Sequence, residues 1–199
     1  MNALEAALRR IAGELARANL GWALIGGLAV SARAEPRTTR DVDVAVSVAD
    51  DSDAEGFVLA LQSAGFRVLA ALEQEAARRL ATVRVVPPGE DAGGVVVDLL
   101  FASSGIEPEL VARAERMEIL PGLTVPVARI GHLLALKVLA RDDRRRPQDL
   151  DDLRALLREA EEADVAEART ALTLIEARGF QRERRLREAF EQLLISEAT

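Results

Sequence analysis

Between Asp41 and Val48 the chain alternates without exception, Val42, Val44, Val46 and Val48 against Asp41, Asp43, Ala45 and Ser47. Side chains on a strand point to opposite faces in turn, so the segment is a strand with a valine face for a core and a second face carrying carboxylates. Asp41 and Asp43 leave that second face with Cα atoms roughly 6.6 Å apart, at a rise of ~3.3 Å per residue. If their charges approach to about 5 Å at an effective dielectric of about 20, they repel by on the order of 3 kcal/mol. Such a pair either lies on the solvated face of an edge strand or holds cations, and a magnesium pair ~3.5 to 4 Å apart fits the gap. Spacing alone leaves both readings open.

Composition removes the competing chemistries. The 199 residues include no Cys, no Tyr and one His, His132. Disulfides, thiolate catalysis, zinc fingers and multi-histidine metal sites are therefore excluded. What remains is carboxylates, Lys, Arg, hydroxyls and bound ions. At 49% hydrophobic residues the chain can build a full core without staples. The net charge of −7 argues against a DNA-coating role, and the basic clusters at 144–146 and 182–187 read as solvated faces or as local phosphate contacts. No apolar run approaches the ~20 residues that cross a bilayer, and residues 1–18 read as an amphipathic helix rather than a signal peptide. A cytoplasmic protein without a membrane segment is the expectation.

Leu4, Leu8, Ile11 and Leu15 mark a first helix ending near Asn19 and Gly21. Trp22 to Ile25 reads as a strand, followed by a Gly26-Gly27 turn and a short helix over 28–34. After the Asp strand, Ser52 and Glu55 form a capping-box pattern for a helix ending at Gly65. Strands are expected over 66–69, 82–86 and 95–101, the last two as a hairpin across a Pro- and Gly-rich turn. From Arg129 the pattern is helical over 130–140, 150–160, 165–178 and 182–194, with breaks near Pro147, Asp164 and Gly179. The fold class expected is α/β (α+β), a mixed sheet with flanking helices followed by a C-terminal helical bundle. The boundary is placed in the Pro121–Pro126 seam, giving a mixed α/β domain over residues 1–125 and a helical domain over residues 126–199.

Two further features accompany the carboxylate pair. Gly26 and Gly27 precede a helix, where backbone amides suit a polyphosphate, although a plain tight turn explains two glycines equally well. Asp98 interrupts the apolar run Val95 to Phe101, and a buried charge there needs a partner. It is a third metal ligand, a general base, or a strand-end Asp bonded to backbone amides.

Together these residues resemble a known superfamily. The Gly-Gly turn and helix, the strand Arg37-x-Thr39-x-Asp41-x-Asp43 and the later strand carboxylate Asp98 look like the DNA polymerase β type nucleotidyltransferases. Among the C-terminal helices, Lys137, Ala140, Arg144, Asp149 and Asp152 reproduce the spacing Lys-x-x-Ala-x-x-x-Arg-x-x-x-x-Asp-x-x-Asp. That spacing is similar to the AbiEii-like nucleotidyltransferases, the toxin half of type IV toxin–antitoxin systems. The resemblance runs from about Trp22 to Leu153 and departs from the family at Leu28, where a Ser or Thr usually follows the glycines. Ser31, on the same helix, is the substitute hydroxyl.

The resemblance implies transfer of a nucleoside monophosphate from an NTP to an acceptor hydroxyl, with release of pyrophosphate. Asp41, Asp43 and Asp98 would hold two Mg2+ ions, and Asp98 could also take the hydroxyl proton. Gly26, Gly27, Ser31, Arg37, Thr39 and Lys137 would contact the nucleotide. Arg37 and Thr39 have the alternative of ordering the loop before the strand, and Lys137 that of snorkelling to solvent. Arg144, Asp149 and Asp152 would form a supporting ion-pair network, and His132 has no assigned chemistry. The implied acceptor is an RNA end, tRNA in particular, and the implied partner a cognate antitoxin. Two rival readings are a small-molecule, antibiotic-type nucleotidyltransferase and a nucleotide-binding protein without turnover, which Leu28 favours. The RNA reading also expects Arg182, Arg184, Arg185 and Arg187 to supply salt-dependent affinity.

Overall fold

A computed structural model describes residues 2–74, 78–89, 94–142 and 148–197. The amphipathic start forms helix α1 (Ala3–Arg17), which buries Ala7, Leu8, Ile11 and Leu15 and is capped by the Asn2 side chain accepting from the Glu5 N–H. Strand β1 (Gly21–Ile25) leads directly into helix α2 (Gly26–Arg33), and strand β2 (Asp41–Ser47) is the alternating Asp segment. Helix α3 (Asp51–Ser63) begins earlier than the Ser52–Glu55 pattern suggests. Its cap is Asp50, whose side chain accepts from the Asp53 N–H at 3.1 Å, while Asp53 accepts from the Ala49 N–H at 3.2 Å. The Asp50–Asp53 pair thus ties down the helix start much as a capping box does and displaces Ser52 into the helix.

Strands β3 (Arg67–Gln74), β4 (Arg79–Val86) and β5 (Val96–Leu100) follow, with β4 and β5 antiparallel as the turn-rich connection implies. The chain then adds helix α4 (Glu107–Ala112) and a hairpin of β6 (Glu115–Leu120) and β7 (Leu123–Val127), none of which the sequence pattern announces. Pro121 and Gly122 form the tip of that hairpin, and Pro126 stands inside β7 opposite Arg116. The seam read from the prolines is therefore a strand pair that belongs to the sheet. The sheet order is β3-β4-β5-β2-β1-β7-β6, with β2 central, parallel to β5 and antiparallel to β1. Val42, Val44 and Val46 are fully buried, as the alternation demands, and α1, α2 and α4 pack against β2.

Helices α5 (Ile130–Ala140), α6 (Gln148–Glu159), α7 (Glu162–Ala177) and α8 (Leu186–Glu197) complete the chain. The helix break expected near Asp164 falls between Glu159 and Glu162, and Asp164 sits in the first turn of α7, where it forms a capping box with Glu161. α5 is apolar on nearly all sides and contacts α2, α6, α7 and α8, so it is the core of the helical bundle. No helix among the described residues is long and apolar enough to cross a membrane.

His132 on α5 is buried, with Nδ1 3.6 Å from Glu167 Oε2 on α7. Burial holds its pKa below the ordinary 6.5, opposed by Glu167 and reinforced by Arg113 and Arg129. A histidine whose folded pKa is depressed stabilises the fold above its unfolded value, and that contribution is lost as pH falls below 6.5 towards the folded value. Urea unfolding at pH 8 and pH 5.5 is expected to show lower stability at the acid end, with a smaller drop in His132→Gln. An unchanged drop in the variant would assign the acid sensitivity to other groups.

Candidate active site

Strand register aligns the chemistry. Ile25 of β1 pairs with Asp43 of β2, Asp43 with Asp98 of β5, and Asp98 with Arg84 of β4. Residues paired across neighbouring strands share a face, so Asp43, Asp98 and Arg84 form one row, with Asp41 two residues along β2 on the same face. This row lines a cleft of about 750 Å³. Gly26, Gly27, Arg37, Thr39 and Arg40 line the same cleft, and α5 closes it with Leu133, Leu136 and Lys137. The edge-strand alternative for the aspartate pair is thereby excluded, because β2 is the central strand.

The glycine pair serves the side chains around it. Gly26 has φ +62°, and a Cβ there would run into the Asp43 carboxylate. At Gly27 a Cβ would lie 2.7 Å from both Arg37 Nη2 and Thr39 Oγ1. The two glycines therefore let the motif residues close over the start of α2, where the N-cap residue Ile25 makes no side-chain cap. Gly27→Ala is expected to lower nucleotidyl transfer by on the order of tenfold through misplacement of Arg37 and Thr39. Its melting temperature should fall as well, by less than in a variant that removes Asp152, because the displaced Arg37 Nη2 is a donor to that buried carboxylate. A fully active variant would mean the close approach is not used.

Ser31 does not line the cleft. Its hydroxyl donates to the Gly27 carbonyl at 3.0 Å and accepts from the Arg37 N–H at 3.2 Å, so it fastens the 34–40 loop to α2. Leu28 is half-buried and packs on the core. Ser31 is committed to holding the loop on α2 and Leu28 carries no hydroxyl, so neither position presents one to the cleft.

The helical motif is a buried ion cluster. Lys137 Nζ lies 2.8 Å from Asp149 Oδ1 and 2.7 Å from Asp152 Oδ2. Asp152, 2% exposed, also accepts from Arg37 Nη2 at 2.9 Å, with Arg37 Nε 2.6 Å from its Oδ1. Arg37 and Lys137, both expected at phosphates, are thus joined through one aspartate, and Lys137 does not snorkel to solvent. The network expected for Asp149 and Asp152 is present with these cations, while Arg144 lies outside the described residues.

The basic C-terminal segment divides. Arg182 lines the cleft, with Nη2 3.5 Å from Ser103 Oγ. Arg184 donates to the Leu139 and Arg141 carbonyls at 3.0 Å and closes the end of α5. Arg187 pairs with Glu176 at 2.6 Å, and Arg185 with Glu188 at 3.3 Å.

Arg84 is a charged site residue that the sequence motifs leave out. Its Nε donates to Asp98 Oδ1 at 2.8 Å and its Nη2 to Asp98 Oδ2 at 2.7 Å, a two-pronged pair. The Asp98 bonds, with Asp41 and Asp43 nearby, hold the guanidinium pKa above its ordinary value. One sequence signal points to it: Arg84 is the charge in an otherwise uncharged run, Thr82 to Val86, and the structure then sets it opposite Asp98. Among the described residues, no three His, Asp or Glu side chains are gathered as a metal cage, and both Asp98 oxygens face Arg84. The donor chemistry nonetheless fits magnesium, since Asp41, Asp43 and Asp98 bring oxygen ligands into one cleft.

The model of the family described as nucleotidyl transferase AbiEii toxin, type IV TA system, matches residues 3–199. The chain belongs to the AbiEii nucleotidyltransferase family. No curated protein sequence matches it. Among solved structures, this AbiEii-family chain is similar to an antigenic nucleotidyltransferase-like protein from Paracoccidioides brasiliensis, at 19% identity and TM-score 0.53 over 94% of this chain and 91% of that one. It is also similar to the lincosamide antibiotic adenylyltransferase LnuA, at 12% identity and TM-score 0.52 over 80% of this chain and 100% of that one. These likenesses establish a nucleotidyltransferase fold, and the family establishes a nucleotidyltransferase, which sets aside the reading as a binding protein without turnover.

Proposed function

We propose that this AbiEii-family enzyme transfers a nucleoside monophosphate from an NTP to a hydroxyl at an RNA end, with magnesium held by Asp41, Asp43 and Asp98. The observation that carries the reading is the row of carboxylates on the floor of a cleft whose walls hold Arg37, Lys137 and Arg182. Bound magnesium would supply a lowered pKa for the attacking hydroxyl and charge neutralisation for the triphosphate. Thr39 Oγ1 and the first turn of α2 orient the phosphates. Lys137 has three N–H donors, and Asp149 and Asp152 engage two of them, which leaves one for a phosphate oxygen. Asp98 Oδ accepts the proton of the acceptor hydroxyl once its own partner has moved.

Membership of a type IV toxin family supports an RNA acceptor and an antitoxin partner. A small hydroxylated acceptor is the second reading, favoured because Arg184, Arg185 and Arg187 are spent on partners within the chain. Incubation with each α-labelled NTP, magnesium and either total RNA or a panel of aminoglycosides and lincosamides separates them. Label on tRNA-sized RNA, with apparent affinity falling as salt rises and a shallower slope in Arg182→Ala, is the expected result. Label on the small acceptors alone would overturn the RNA assignment and leave the transfer chemistry standing.

A further inference from the structure

Arg84 already holds the Asp98 carboxylate that a cation in this row would need. Its two donors take one oxygen each of the Asp98 carboxylate at 2.8 and 2.7 Å, on a carboxylate that is almost wholly buried. A bidentate guanidinium takes one lone pair on each oxygen and sets a positive charge beside the others, so the ion pair and a metal–Asp98 bond compete. The side chain of Arg84 is 48% exposed and lines the cleft, so its release from Asp98 disturbs no core packing.

We propose that Arg84 is an internal counter-ion that withholds Asp98 from divalent cations until nucleotide arrives. The inference rests on the proposed cation role of Asp98. Without nucleotide, a dication entering the carboxylate row meets the repulsion of a fixed guanidinium and loses one of its ligands. A triphosphate carries enough negative charge to draw the guanidinium off Asp98, and the carboxylate is then released to the cation. Metal and nucleotide therefore bind cooperatively, each strengthening the other by the same factor. Arg84 is a positioning residue in this scheme, acting through Asp98.

Mn2+ titration followed by electron paramagnetic resonance tests this on wild type, Arg84→Gln, Arg84→Lys and Asp43→Asn, with and without an ATP analogue carrying a methylene α,β-bridge. Circular dichroism first establishes that each variant is folded. The expected result is that Arg84→Gln binds Mn2+ without nucleotide on the order of tenfold more tightly than wild type, and that the nucleotide-induced gain shrinks by a similar factor. Arg84→Lys, which keeps the charge but not the two-pronged geometry, falls between. Mn2+ binding by Arg84→Gln that is equal to or weaker than wild type overturns the proposal. Asp43→Asn separates the two ways of failing. Loss of Mn2+ in Asp43→Asn, with Arg84→Gln unchanged from wild type, removes only the Arg84 role. Equal binding by wild type and Asp43→Asn removes the carboxylate row as the cation site, and the Arg84 role with it.

Discussion

Asp43→Ala is expected to fold as the wild type does and to lose nucleotidyl transfer by on the order of 10³-fold. Asp43 sits mid-row, flanked by Ile25 on one neighbouring strand and Asp98 on the other. Truncating it deletes a carboxylate from the site where the triphosphate charge is neutralised. It leaves no hole in the core, because the residue is half-buried at the cleft rather than packed among the valines. The loss should fall on the rate of transfer under saturating NTP, as it does when a group acts mainly in the transition state. Single-turnover transfer from α-labelled NTP, alongside thermal unfolding, measures both quantities. Retained activity would place the chemistry outside the carboxylate row.

Asp152→Ala is expected to damage the fold itself. Asp152 is 2% exposed and is shared by Lys137 and Arg37, so its removal takes the common carboxylate from two cations and, among the described residues, leaves Lys137 paired with Asp149 alone. Breaking a buried ion cluster from one side costs about 3–5 kcal/mol. For a chain of this size that lowers the melting temperature by about 10 °C. Three elements loosen together: α5, α6 and the loop carrying Arg37. Asp152→Asn, which keeps an acceptor oxygen, should cost less. Urea unfolding of the two variants checks the order. Stability within about 1 kcal/mol of wild type for Asp152→Ala would show that the cluster orders the site without holding the fold.

What the sequence discloses follows from the range of the interactions involved. The Asp41–Ser47 strand and helix α1 are legible because one periodicity governs each and the core confirms it. Asp98 stands out because a charge in an apolar run demands a partner, yet the partner, Arg84, depends on hairpin register, which no local pattern fixes. β6 and β7 are hidden because β6 is exposed along much of its length and Pro126 reads as a break. Pro126 is tolerated because β7 meets β1 only at Leu24 and Val127, which spares the proline a ladder bond on that side. The Arg37–Asp152 pair joins residues 115 positions apart, so spacing within the helical motif can announce the aspartates but not the arginine they hold. Ser31 is misplaced by its sequence for a related reason: a helix position near the glycines does not say which way a hydroxyl turns, and here it turns to the Gly27 carbonyl.

The central claim, that the carboxylate row carries nucleotidyl transfer, is tested most directly by following the two ends of one nucleotide. With magnesium, RNA and NTP labelled separately at the α- and γ-phosphates, the α-label should appear on RNA and the γ-label in pyrophosphate, in equal amounts. Both should vanish in Asp43→Ala. The γ-label on the acceptor would make the chain a phosphotransferase, and equal transfer by the variant would remove Asp43 from the reaction; either result contradicts the account.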